Sequence, residues 1–195
     1  MSGRLRKLPT LMAAGAALLV LGGCGESHSK VSTGTYAGES GANAPYLDVG
    51  PLKYEIQLSR QLNPTNSEDE AYLKGLTPEQ QKLEPGQEWF AVFMQVYNTG
   101  KQAAPAAGTV TITDTQGNTY QPLQPSGNNE YAYRGGVVQG KGQIPEADTP
   151  PYFGPTQGAL LLFKIQTESL DNRPLEVKIA NPLNASESAS AELDV

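Results

Sequence analysis

The residue types that support common enzyme chemistry are scarce in this chain of 195 residues. It has one histidine, His28, and one cysteine, Cys24. A serine or cysteine nucleophile normally needs a histidine as its base, and His28 lies in a Gly- and Ser-rich segment where we expect it to be solvated. The hydrolase nucleophile elbow, the phosphate-binding P-loop and the H-E-x-x-H zinc motif are missing from the sequence. We therefore predict a non-catalytic protein without a cofactor.

Carboxylates are the remaining groups that could catalyse a reaction or bind a metal. Acidic pairs can hydrolyse glycosides when the fold holds them about 5 to 9 Å apart. Calcium accepts carboxylate oxygens with loose geometry, and its candidate ligands are Glu68, Asp69, Glu70 and, in a separate turn, Asp114. Neither segment has the spacing of an EF-hand loop. We expect a solvated loop and a hairpin turn, with a calcium-dependent carbohydrate binder or a cell-envelope hydrolase as the alternative.

A long loop with two aromatic pairs is predicted over residues 125–157. Tyrosine and arginine are enriched at binding hot spots, so the loop supplies five candidates for a partner contact: Tyr131, Tyr133, Arg134, Tyr152 and Phe153. The same side chains could instead pin the loop to the edge of the domain, and we favour that interpretation.

The first 24 residues have the three zones of an export signal. A basic start is followed by an apolar run from Leu11 to Leu21 and by small residues. The run has about 11 residues, whereas a transmembrane helix needs about 20. We therefore expect a targeting segment, and a permanent membrane helix is the weaker alternative.

The end of this leader, Leu21-Gly22-Gly23-Cys24, resembles the lipobox of bacterial lipoproteins. The resemblance implies that residues 1–23 are a cleaved signal peptide and that Cys24 carries a lipid on its thiol. Two acyl chains anchor a protein stably where a single chain binds a membrane marginally. We therefore expect a protein anchored to the cell membrane on its extracytoplasmic face. An ordinary secreted protein with an incidental cysteine is the alternative.

The charge of the chain limits its partners. The formal net charge is -6, and removal of the leader with its three basic residues leaves 11 basic and 20 acidic residues, a net charge of -9. This balance argues against a nucleic-acid surface and predicts repulsion from anionic lipid head groups. Residues 24–45 are rich in small polar residues, which predicts a flexible tether.

The body of the mature chain, residues 46–182, is predicted to be one domain made mostly of strands. Alternation of apolar and polar residues from Leu52 to Leu58 predicts a strand with one wet face. The segment from Trp89 to Tyr97 is apolar on both sides and predicts a central core strand. Thr77-Pro78-Glu79-Gln80 predicts one short, capped helix, and the segment from Asp114 to Asn118 predicts a hairpin turn.

The last residues, 183–195, are small and acidic and predict a flexible tail. The number of short strands and the regular turns predict an all-β protein, an immunoglobulin-like antiparallel β-sandwich. 

The strands and turns resemble a family of small immunoglobulin-like extracellular domains of bacterial lipoproteins, which is typified by an immunoprotective secreted antigen and has no known function. The matching segments are residues 89–101, 112–120 and 158–165, and the resemblance covers about Tyr54 to Ile179. A long insertion from Gly127 to Pro155 departs from the family pattern. The resemblance implies the same sandwich and supplies no catalytic residues. We expect the partner to be a cell-envelope protein or glycan.

Overall fold

The structure, a computed structural model, describes residues 29–32 and 46–193. The predicted signal peptide, Cys24, His28 and most of the predicted tether lie outside the described residues. Within the described ranges the chain forms two large β-sheets, one two-stranded sheet and four short helical segments.

The first sheet has five strands. In spatial order they are β1 (Ser29–Ser32), β12 (Asn184–Leu193), β11 (Leu175–Asn181), β6 (Val110–Thr113) and β7 (Thr119–Tyr120). Strand β1 runs parallel to β12, and the other neighbours are antiparallel.

The second sheet is antiparallel. In spatial order its strands are β10 (Ala159–Gln166), β4 (Gln87–Tyr97), β3 (Leu52–Leu62) and β2 (Tyr46–Val49), and β9 (Gln143–Ile144) pairs with the end of β4. The small third sheet joins β5 (Ala104–Pro105) to β8 (Val137–Val138).

The two large sheets enclose the main hydrophobic core. Phe90 and Val92 of β4 belong to one buried cluster with Val177 of β11 and Ala189 and Ala191 of β12. Alternate residues of each strand supply this cluster, because successive side chains of a strand point to opposite faces. The predicted antiparallel β-sandwich is confirmed.

Strand β4 is the central core strand, as predicted. It lies between β10 and β3, and its second face, which includes Ala91 and Phe93, packs against a covering layer that contains Tyr72 and Leu76. Sequence analysis predicted one short helix, but the described chain has α1 (Ser67–Tyr72), α2 (Pro78–Gln81), α3 (Pro150–Phe153) and a 3-10 helix (Thr167–Leu170). None of the helices between residues 46 and 193 is long and apolar enough to cross a bilayer.

The predicted helix is α2, and its cap has the predicted form. The Thr77 hydroxyl accepts a hydrogen bond from the Gln80 amide at 3.2 Å, and the Gln80 side chain accepts one from the Thr77 amide at 3.0 Å. These two bonds satisfy amide groups that a helix start leaves free.

The prediction of a flexible tail over residues 183–195 is wrong for most of that segment. Strand β12 pairs with β11 from Asn184 to Leu193, and Ala189, Ala191 and Leu193 are buried. Glu187 accepts hydrogen bonds from the Gly50 amide and from Asn181, both at 2.7 Å. The predicted tether over residues 24–45 is also corrected at one point, because residues 29–32 form β1.

The predicted wet face of β3 is not exposed. Glu55, Gln57 and Ser59 are all buried, although alternation places them opposite the core residues Tyr54 and Ile56. The register with β4 shifts between Ile56 and Leu58, so a β-bulge interrupts the regular alternation. The outer face of the second sheet is therefore covered and includes buried polar groups.

Candidate binding surface

Tyr133 attaches the insertion to the sandwich. It is 5% exposed, and its hydroxyl donates to the carbonyl oxygen of Ala107 at 2.8 Å. The Ala107 amide donates in turn to the hydroxyl of Tyr54 at 2.8 Å. Burial raises the pKa of both tyrosines, that of Tyr54 to about 12. Tyr133 is a structural residue, so its prediction as a partner contact is corrected.

Tyr131 and Arg134 also hold the insertion in place. The ring of Tyr131 meets that of Tyr72 edge-on, with 5.0 Å between the ring centres. The guanidinium of Arg134 donates to the carbonyl oxygens of Pro125 and Ser126. These contacts agree with the favoured interpretation, that the side chains pin the loop.

Asn129 adds a fixed point that sequence analysis missed. Its side-chain nitrogen donates to the carbonyl oxygens of Tyr72 and Lys74, both at 2.9 Å. Its side-chain oxygen accepts from the amides of Tyr131 at 3.0 Å and Ala132 at 3.2 Å. One buried amide therefore ties the start of the insertion to the end of α1.

Tyr152 and Phe153 are the two predicted aromatic contact residues that remain exposed, and Arg134 is exposed as well. Both lie on α3, and 37% of Tyr152 and 63% of Phe153 are accessible to solvent. Pro150 and Pro151 open this helix, which suits the first turn because proline fixes φ near the helical value. The two prolines therefore stiffen the first turn of the short helix that carries the two exposed aromatic rings.

A cavity of about 250 Å³ lies beside α3. Parts of the insertion line it, with an arginine and two carboxylates among largely apolar groups. Its lining includes Glu130, Tyr131, Arg134, Ile144, Glu146 and Pro151. The two exposed rings of α3 thus adjoin a concave site with both charge signs.

A polar cluster lies on the outer face of the second sheet, where β2, β3 and β4 run side by side. Tyr46 pairs with Glu55, and Glu55 pairs with Gln95. The hydroxyl of Tyr97 lies 3.2 Å from Oε2 of Glu55 and also contacts the side-chain oxygen of Gln95. Oε1 of Glu55 has no hydrogen-bond partner among the described residues, although Glu55 is only 2% exposed.

Two tyrosines, Tyr46 and Tyr97, lie beside the Glu55 carboxylate. Tyr46 and Tyr97 meet edge-on, with 6.1 Å between the ring centres. Burial raises the pKa of Tyr97, and the charge of Glu55 and the neighbouring Tyr46 and Tyr152 add to the rise. Tyr152 of α3 therefore lies near enough to Tyr97 to affect its ionisation.

Sequence analysis missed this cluster. A usable signal was Gln95, the one residue without an apolar or aromatic side chain in the segment from Trp89 to Tyr97 of β4. Glu55 gave no such signal, because alternation alone places it on a solvated face.

The calcium candidates on α1 do not form a cation site. Asp69 is buried, with Oδ1 2.5 Å from Nη2 of Arg60 and Oδ2 accepting from the Asn63 amide at 2.8 Å. Glu68 and Glu70 are exposed beside it in the first turn of α1. The predicted solvated loop is thus a helix whose one buried carboxylate already binds an arginine.

Asp114 closes the predicted hairpin turn between β6 and β7. Its Oδ1 accepts from the amides of Gln116 and Asn118, both at 2.9 Å, and its Oδ2 accepts from the Ser169 hydroxyl at 2.7 Å. Burial opposes ionisation, but these donors, with Ser169 foremost, lower the pKa of Asp114 below its usual value. Across residues 46–193, no three His, Cys, Asp or Glu side chains converge in a way that could hold a metal.

Comparison with known proteins supports the fold alone. No family model and no curated protein sequence matches the chain. A functionally unknown protein from Listeria monocytogenes has a similar structure, with a TM-score of 0.51 and 11% identity over 78% of this chain and 82% of that one. The yjhA protein of Bacillus subtilis matches with a TM-score of 0.49 and 10% identity over 77% of this chain and 97% of its own.

A third similar structure is ycdA of Bacillus subtilis, a candidate lipoprotein. It matches with a TM-score of 0.45 and 10% identity, over 78% of this chain and 39% of its own longer chain. The descriptions of these three proteins name no enzymatic activity. At this level of identity the likeness concerns the β-sandwich and carries no activity over to this chain.

Proposed function

We propose that this chain is a non-catalytic binding module, held by a lipid on Cys24 at the extracytoplasmic face of a bacterial cell membrane. In this proposal the edge of α3, with Tyr152 and Phe153, recognises a cell-envelope protein or glycan. The observation that carries it is the exposure of these two rings on an insertion whose other aromatic residues are fixed by internal contacts.

The rigidity of the insertion supports recognition. Binding costs less free energy when the contacting groups are already ordered, and the bonds of Asn129, Tyr133 and Arg134 order the chain that leads to α3. Aromatic rings supply much of the binding energy at protein interfaces. The adjoining cavity can accept a side chain or a sugar substituent between the arginine and the two carboxylates.

The composition of the leader supports the membrane anchor. A basic start, a short apolar run and the sequence Leu21-Gly22-Gly23-Cys24 together are typical of a bacterial lipoprotein signal. We include in the proposal the resemblance to immunoglobulin-like lipoprotein domains, and it is supported by two of its segments, residues 89–101 and 158–165, which overlap strands β4 and β10.

Photocrosslinking tests the recognition edge. The full-length protein would carry a photoreactive phenylalanine analogue in place of Phe153 in intact cells. The matched control would carry it in place of Leu183, which is 75% exposed between β11 and β12. We expect discrete adducts from position 153 only. Equal adducts from both positions, or none from position 153, would overturn the proposed recognition edge.

The anchor has its own test. We expect the intact mass of the membrane-extracted protein to equal that of the chain from Cys24 onward plus a diacylglyceryl group, with or without an N-terminal acyl chain. A Cys24→Ala variant should leave the membrane fraction. Retention of that variant in the membrane would reject lipid anchoring and leave the recognition edge to be judged on the crosslinking result.

A further inference from the structure

We infer that the polar cluster of Tyr46, Glu55, Gln95 and Tyr97 binds a primary ammonium group on a flexible alkyl chain, such as a lysine side chain. The inference rests on the proposed binding role and gives the chemistry of one contact. It starts from Glu55, whose Oε1 is buried and has no partner among the described residues.

The hydrogen bonds around Glu55 leave Oε1 as the free acceptor. Tyr97 has a single hydroxyl proton, which it can donate to Oε2 of Glu55 at 3.2 Å. Rotation of the Gln95 amide by half a turn lets its nitrogen donate to the same hydroxyl oxygen. The cluster then forms one chain from Gln95 through Tyr97 to Glu55, and the only capacity left on the carboxylate is to accept a donor from outside.

A positively charged donor suits this position best. A buried carboxylate without a paired cation is costly, and hydrogen bonds to charged groups are stronger than neutral ones. Tyrosine faces also attract cations through the ring quadrupole. Tyr46 and Tyr97 lie beside the carboxylate, so a cation here would contact both a negative charge and aromatic rings.

The protein already places an ammonium group against one of these rings. Nζ of Lys53 lies 5.8 Å from the centre of the Tyr46 ring and 2.8 Å from Oδ1 of Asp48. Lys53 thus shows that Tyr46 accepts an alkylammonium from the solvent side. Because Oε1 of Glu55 is buried, a second ammonium group has to displace a neighbouring side chain to reach it, and we assign this movement to Tyr46, which is 45% exposed.

The ammonium could come from a protein lysine or from an ethanolamine lipid head group. The full-length protein in nonionic detergent, with ¹³C-labelled tyrosine rings, would be titrated with Nα-acetyl-lysine amide, with phosphoethanolamine and with the neutral Nα-acetyl-norleucine amide. We expect the lysine probe to shift the Tyr46 and Tyr97 resonances with at least about 10-fold higher affinity than the norleucine probe. Binding of phosphoethanolamine as well would extend the class to lipid head groups.

Variants locate the site. Glu55→Gln should weaken binding of the lysine probe about 10-fold or more, and Tyr46→Ala, which leaves the buried bonds intact, about two- to five-fold. Glu88→Gln is the matched control, because Oε1 of Glu88 is also buried without a partner among the described residues but lies on a different face of β4. It should leave affinity unchanged.

Two results would overturn the inference: equal binding of the lysine and norleucine probes, or unchanged binding in both Glu55→Gln and Tyr46→Ala. Either result would leave the crosslinks from position 153 unaffected. The proposed binding role and the ammonium site are therefore tested independently.

Discussion

Arg60 and Asp69 form an ion pair that joins β3 to α1, with Nη2 2.5 Å from Oδ1. Burial alone would raise the pKa of Asp69, but the hydrogen bonds from Arg60 and from the Asn63 amide lower it below its usual value. A carboxyl whose pKa is lowered by folding adds stability above its unfolded pKa, near 4, and loses that contribution as the pH falls through its folded pKa.

Asp69→Asn should therefore lower the free energy of unfolding by about 2 to 4 kcal/mol at pH 7, because it leaves Arg60 without its charge partner. The difference from the original protein should narrow as the pH falls below the unfolded pKa, near 4, and through the lower folded pKa of Asp69, where the carboxyl becomes neutral. Urea unfolding at a series of pH values measures this. Glu68→Gln, an exposed neighbour, should change stability by less than about 0.5 kcal/mol. A difference that does not vary with pH would contradict the ion-pair argument.

Two leucines near the C-terminus test whether β12 is part of the folded core. Leu193 is 4% exposed in β12, whereas Leu183 is exposed in the preceding turn. Leu193→Ala should cost about 2 to 4 kcal/mol of unfolding free energy through lost burial and a cavity. Leu183→Ala should stay within about 0.5 kcal/mol. Equal effects in thermal unfolding would support the flexible tail instead.

Gly158 marks a close approach of two backbones. Its φ is +110°, and a Cβ there would lie 2.8 Å from the Met94 amide nitrogen and 2.9 Å from the Phe93 carbonyl carbon of β4. Gly158→Ala should lower the free energy of unfolding by about 3 kcal/mol or more, because the strain of a positive φ and the steric clash of the Cβ with β4 both contribute.

Gly108→Ala is the matched control for that variant, because a Cβ at Gly108 meets nothing within 4 Å. It should be neutral or stabilise the protein by up to about 1 kcal/mol, because alanine lowers the conformational entropy of the unfolded chain. Similar midpoints of urea unfolding for the two variants would show that the approach at Gly158 is not constrained.

Calcium should leave thermal unfolding unchanged. Asp69 and Asp114 already accept hydrogen bonds from protein donors, so a cation would have to displace those donors. The unfolding midpoint should stay constant up to about 5 mM calcium chloride, above the range in which extracellular modules bind calcium. Magnesium chloride at equal ionic strength is the control. A rise specific to calcium would restore the carbohydrate-binding alternative, because a ligand that binds the folded state stabilises it.

Elements specified by a few consecutive residues were predictable from the sequence. The capping box runs over the four residues from Thr77 to Gln80, and the turn closed by Asp114 runs over the five residues from Asp114 to Asn118. Strand β4 was predictable because both of its faces are apolar. In each case the residues that determine the structure are neighbours in the chain.

Features that depend on distant residues were not predictable. Strand β12 contains no large apolar residue before Leu193, so its order comes from pairing with β11 and from the contacts of Glu187. Alternation in the sequence predicted a solvated Glu55. The groups that bury it are distant in the chain, and Tyr97 is 42 residues away. Tyr152 and Phe153 are exposed whereas Tyr133 is buried, and this difference depends on tertiary contacts such as the bond from Tyr133 to Ala107.

The position of β4 also determines how the protein exchanges its amide hydrogens with solvent. Its peptide groups lie between β10 and β3, and side chains cover it on both faces. Each β4 amide bonds to one neighbouring strand only, but loss of either β10 or β3 also uncovers the hydrophobic clusters that these strands share with β4. We therefore expect the β4 amides to become accessible only when the whole sandwich unfolds. The slowest deuterium uptake in the chain, at Val92 and Phe93, should therefore report the global free energy of unfolding without denaturant.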